Sequence, residues 1–152
     1  MIVGPHTSNW DFPIGVLARS IIQIQDAKYL GKSSLFKWPH GFIFRALGGH
    51  PVHRSRNNNL VDAVIDLFNN KEKFAVALAP EGTRSKVESI KTGFYHIAVK
   101  AKIPIIKVGL DYSLKQTIID APFYPSGDIE RDMPLILDFF SKIKGKHPEL
   151  GI

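Results

Sequence analysis

Residues 74–79 read Phe-Ala-Val-Ala-Leu-Ala, six apolar side chains in a row. A run so short and unbroken suits a strand covered on both faces, the kind found in parallel sheets with helices on either side. Parallel neighbours need crossover connections, so the rest of the chain should alternate strands with helices. It does. Residues 13–25 carry Ile14, Val16, Leu17, Ile21, Ile22 and Ile24 at helical spacing, with Asn9 or Asp11 as the expected cap. Residues 27–30 read as a short strand. Residues 33–47, split by Pro39 and Gly41, read as two short helical pieces. A glycine turn at Gly48 and Gly49 leads into a further strand, and 60–68 has one apolar helical face. A helix over 92–101, a strand over 103–110, an edge strand over 117–119 and an amphipathic helix over 133–144 complete the pattern. The fold class expected is α/β, one domain spanning 1–152, with a mixed, mostly parallel central sheet and helices on both faces.

Composition narrows the function. The 152 residues contain no cysteine, which excludes disulfides and thiolate metal sites and fits a reducing, cytoplasmic setting. No apolar run approaches the ~20 residues that cross a bilayer. The formal net charge of +6 suits an anionic partner such as a lipid surface or a phosphorylated substrate. No nucleic-acid motif accompanies that charge, so no nucleic-acid partner is expected.

Polar groups follow three of the apolar strands. His6 and Asp11 flank Thr7-Ser8-Asn9-Trp10, just past residues 1–4, which read as the tail of a strand. Five positions apart on a straight helix they would diverge, so they can meet only if the chain turns between them, and Thr, Ser and Asn favour turns. A neutral imidazole can accept a proton near pH 7, and a carboxylate beside it can stabilise the imidazolium. Pro80-Glu81-Gly82-Thr83-Arg84-Ser85 follows the 74–79 strand, and Arg54 follows the Gly48-Gly49 turn. Ligands of open α/β sheets sit beyond the carboxyl ends of the strands, so these groups should converge on one edge. Each has a plainer reading: Asp11 as a helix cap, Glu81 and Arg84 as a surface ion pair, Arg54 and Arg56 as a solvated basic patch. His40, His50, His53, His96 and His147 match no pattern, and His6 with Asp11 lacks the neighbouring ligands a metal would need.

In this order and spacing the motifs resemble those of the glycerol-phosphate and lysophosphatidic-acid acyltransferase family. Its marks are a His and an Asp separated by four residues, here His6 and Asp11, and a Pro-Glu-Gly-Thr-Arg block, here 80–84. A glycine turn leading to an arginine matches Gly48, Gly49 and Arg54, and a proline-containing apolar strand matches Ile103-Pro104-Ile105-Ile106. Ala79 replaces the family's usual aromatic, Lys107 interrupts the fourth block, and the segment before His6 is shorter than usual, so the domain is expected to be shortened at its N-terminus.

The resemblance implies transfer of a fatty acyl group from acyl-CoA or acyl carrier protein to the hydroxyl of a glycerol phosphate or lysophospholipid, as in phospholipid biosynthesis. It implies His6 and Asp11 as catalytic residues, and Arg54, Glu81, Gly82, Thr83 and Arg84 at the acceptor phosphate. It implies no metal or organic cofactor. Such a protein is expected in the cytoplasm, held peripherally on the anionic inner face of the membrane, with the aromatic and basic residues 36–45 as the contact. The alternative is a non-catalytic lipid- or phosphate-binding domain of the same fold.

Overall fold

A computed structural model of the protein describes residues 1–24, 26–52, 57–82 and 90–150. The chain runs β1 (Ile2–Val3), α1 (Asp11–Ile21), β2 (Ala27–Lys32), a 3₁₀ turn (Ser33–Phe36), α2 (Gly41–Ala46), β3 (Gly49–Val52), α3 (Asn57–Asn69) and β4 (Ala75–Leu78). It continues through α4 (Gly93–Ala101), β5 (Ile106–Asp111), β6 (Gln116–Ile119), α5 (Ile129–Ser141) and a last 3₁₀ turn (Pro148–Leu150). The six strands form one sheet in the order β3-β2-β4-β1-β5-β6, parallel except for the antiparallel β5–β6 pair. The expected α/β class with a mostly parallel sheet is therefore what the chain adopts.

The apolar run lands in the middle of that sheet. β4 lies between β2 and β1, with Ala77 opposite both Tyr29 and Ile2, and Val76 is wholly buried. With the right hand that parallel crossovers take, this strand order puts α1 and α2 on one face and α3 and α4 on the other; Phe12 of α1 packs edge-on against Tyr29 of β2. Val64 of α3, Phe94, Tyr95, Ile97 and Ala98 of α4, and Ile136 and Phe140 of α5 close over the sheet with Val3 and Ile105. Burying a large apolar side chain stabilises by about 1.5–3 kcal/mol, so this cluster supplies most of the driving force for folding.

Element boundaries moved where backbone chemistry outweighed pattern. α1 stops at Ile21 rather than at 25, because Gln23 takes a left-handed φ of 58°. The strand expected over 103–110 begins only at Ile106. Ile103 N–H donates to Ala98 O to finish α4, Lys102 takes a left-handed φ of 53°, and Pro104 has no N–H to offer. α5 starts at Ile129, four residues before the expected 133, because the Asp128 side chain accepts from Glu130 N and Arg131 N. Lys107, unexpected inside a buried strand, places its ammonium 2.7 Å from an Asp120 carboxylate oxygen and over the rings of Phe123 and Phe139. Among the described residues no helix is long and apolar enough to cross a membrane.

Candidate active site

The carboxyl ends of β1 and β4 lie side by side, so the segments leaving the two strands meet at one edge. Past Val3, Gly4 still pairs with β4 through its N–H to Leu78 O, and a Cβ there would come within 2.6 Å of Val108 O. Only glycine fits that approach. The chain then leaves the sheet through Pro5 to the half-buried His6.

From His6 the chain turns as the spacing requires. Asp11 N donates to Ser8 O, and Trp10 N donates to Ser8 Oγ. Neither expected cap caps α1: the N-cap is Trp10, with no side-chain bond. Asp11 is the first helical residue, and its carboxylate reaches backwards. Its Oδ2 accepts from Thr7 N at 2.7 Å and Ser8 N at 2.8 Å, while Oδ1 accepts from the Tyr112 hydroxyl at 2.6 Å. Asp11 is only 5% exposed, so these donors replace the water it loses. The carboxylate thus ties the two ends of the His6 turn together.

On the β4 side, Gly82 N donates to Ala79 O and closes a turn over Pro80 and Glu81, with Gly82 at a φ of +66°. Glu81 is not a surface side chain. Its side chain is 1% exposed, and its Oε2 accepts from His6 N at 3.3 Å. Among the described residues its Oε1 has no hydrogen-bond partner. Burial pushes its carboxyl up to about 7, helped by the charge of Asp11 and opposed by its own backbone N–H and that of His6. The Lys91 side chain lies over Gly82, a cation that no motif pointed to. Trp10 is exposed under the Lys146 ammonium, beside an open groove of about 580 Å³ along Thr7, Ser8, Asn9 and His147.

The structure therefore brings together His6, Asp11, Glu81 and Gly82. Arg54, Arg56, Thr83 and Arg84 lie outside the described residues. Tyr112 was missed because nothing in the sequence couples it to a residue 101 positions earlier. Among the described residues, no cluster of three or more His, Cys, Asp or Glu side chains is arranged to hold a metal ion.

Glu81 carries a stability prediction. Its carboxyl sits near 7 in the folded protein against an ordinary 4.5, so the folded state binds this proton more tightly than the unfolded chain. Its contribution is fully present below about pH 4.5, declines through that interval and is lost above about pH 7. Glu81→Gln should flatten this part of the stability curve. Thermal melts of both proteins across the interval check it, and an unchanged slope in the variant would assign the dependence to another group.

Residues 1–111 match the sequence profile of a family described as Acyltransferase. The chain is 31% identical over 113 residues to a curated 1-acyl-sn-glycerol-3-phosphate acyltransferase of Salmonella typhimurium, and 30% identical over 112 residues to that of Escherichia coli. Each alignment takes in 70% of this chain and 44% of the relative, so the chain spans less than half the length of these proteins. Among solved structures, the 1-acyl-sn-glycerophosphate (LPA) acyltransferase PlsC from Thermotoga maritima superposes with a TM-score of 0.65 at 23% identity. That superposition covers 91% of this chain and 61% of the other, and at such identity it speaks for the fold.

Proposed function

This chain belongs to the acyltransferase family, and from that premise we propose that it is a single acyltransferase domain moving a fatty acyl group from an acyl thioester, on CoA or acyl carrier protein, to the hydroxyl of a glycerol phosphate or lysophospholipid. The observation that carries this reading is the meeting of two motifs far apart in sequence, through Glu81 Oε2 and His6 N, at the carboxyl edge of a parallel sheet.

In this reading His6 takes the proton of the acceptor hydroxyl as its oxygen attacks the thioester carbonyl. Asp11, at the other end of the turn, stabilises the imidazolium. The C–S bond of the tetrahedral intermediate then breaks, and the departing thiolate takes the proton back from His6. Ester and thiol are the products, with no acyl-enzyme between, in keeping with a chain that has no cysteine. Arg54 and Arg84 meet the acceptor phosphate with guanidinium forks, and Gly82 lets backbone come close to it. Glu81 Oε1, without a hydrogen-bond partner among the described residues, is suited to receive a donor from the acceptor, and the resemblance adds Thr83 as an acceptor residue. A matrix of acyl-CoA and acyl carrier protein donors against glycerol 3-phosphate and lysophospholipid acceptors tests the proposal. Free thiol and the ester product are expected together. Lipid binding with no thiol release across the matrix would favour the non-catalytic alternative.

Peripheral membrane attachment belongs to the same proposal, with a narrower contact than 36–45. Phe36 is core and holds Gly31 and Gly49 close, whereas Trp38 is 92% and Phe42 70% exposed. Six of the 20 Lys and Arg residues and none of the 14 acids lie between Asp26 and Asp62, so that segment carries the whole formal excess charge. Exposed aromatics rimmed by cations suit an anionic bilayer surface. The protein should sediment with anionic vesicles and come off as salt rises, and Trp38→Ala with Phe42→Ser should weaken binding at least about fivefold. Equal binding to neutral and anionic vesicles would count against this contact.

A further inference from the structure

Tyr112 stands immediately after β5, the strand next to β1, from whose end the His6 turn departs, and its hydroxyl donates to Asp11 Oδ1 at 2.6 Å. The bond spans 101 residues, and a phenylalanine would fill the same space without making it. Two backbone amides, Thr7 N and Ser8 N, already hold Oδ2. Tyr112 holds the second oxygen and so sets the tilt of the carboxylate plane. We propose that Tyr112 is a positioning residue for the acyl transfer, fixing the Asp11 carboxylate in the orientation in which it acts on His6; this rests on the assignment of His6 as the base.

The chain takes trouble to deliver that hydroxyl. Tyr112 N donates to Lys144 O at 2.8 Å. Its neighbour Asp111 accepts from Ser113 Oγ, Leu114 N and Lys144 N, and these bonds hold the Asp111 carboxyl down at about 2. The turn after β5 is thus clamped on both sides of Tyr112. Burial, then the bond to Asp11 and its charge, raise the phenol above its ordinary value, so it remains a protonated donor across the working pH range. Removing the hydroxyl leaves the ring in place and frees one carboxylate oxygen. The loss should appear in the chemical step rather than in binding.

The test is steady-state kinetics with the donor and acceptor pair found in the activity matrix, on Tyr112→Phe, Asp11→Asn and the double variant. Tyr112→Phe should lower kcat about tenfold and leave both KM values within about twofold. In the Asp11→Asn background it should cost nothing more, because the tyrosine acts through that carboxylate. A readout independent of turnover is the set of His6 ring nitrogen resonances at one fixed pH. They should move in Tyr112→Phe and stay put in Tyr124→Phe, where the ring is 72% exposed and the residue follows the Ile105–Phe123 bridge, at the other end of β5 from Tyr112. Unchanged kcat and unmoved resonances, or losses that multiply in the double variant, would reduce the bond to a structural tie. Full activity of His6→Ala would instead remove the base assignment beneath the proposal, so the two failures are told apart.

Discussion

His6→Ala should lose at least about 10²-fold in kcat while melting close to the wild-type temperature. An alcohol is a poor nucleophile at neutral pH, and a positioned base is what lets its oxygen attack as the proton leaves. His6 is half-buried at the end of β1, and the part of it held by Glu81 Oε2 is its backbone N–H, which alanine keeps. The turn around it is held by Asp11, Ser8 and Thr7. The fold should therefore survive the loss of the imidazole. Asp11→Asn should fall by a comparable or smaller factor and should also soften the turn, because an amide oxygen replaces a charge that accepts two backbone N–H groups. Circular dichroism and melting temperature establish folding, and thiol release establishes turnover. A well-folded His6→Ala protein at wild-type rate would end the mechanism proposed here.

Arg84→Ala should raise the acceptor KM roughly ten- to a hundredfold and change the donor KM much less. The residue stands two positions beyond Gly82, whose left-handed φ of +66° suits a backbone drawn close to a ligand. A charge-assisted hydrogen bond is worth about 1.5–3 kcal/mol, which converts to that range of KM. Arg84→Lys should recover only part of the loss, since an ammonium lacks the planar fork. Lys91, whose side chain lies over Gly82, keeps a cation beside that residue in the variant and so limits the Arg84→Ala effect. Kinetics varying one substrate at a time decide the matter. Damage confined to the donor KM would move the arginine to the phosphates of the thioester carrier.

The local half of this protein was legible in its residues. The unbroken 74–79 run announced a strand buried on both faces and with it a parallel sheet, because only helices above and below can cover both sides. The motif residues His6, Asp11 and Glu81 were found by spacing and by their places after apolar strands, since a strand's end is set by a few consecutive residues. Tertiary structure decided what depends on distant partners. That β4 inserts between β2 and β1, and so lays Glu81 against His6, is a matter of strand order, which no single segment encodes. The burial that pushes the Glu81 carboxyl up to about 7 comes from elements packed around it, not from Pro80 and Gly82 beside it. Lys107 reads as a fault in an apolar strand until Asp120 pairs with it across the fold. Tyr112 reads as nothing at all until β5 sets it opposite Asp11. Local backbone preferences act over a few residues and can be read along the chain. A hydrogen bond to a buried carboxylate depends on where the folded chain puts its donor, and that is known only once the sheet is assembled.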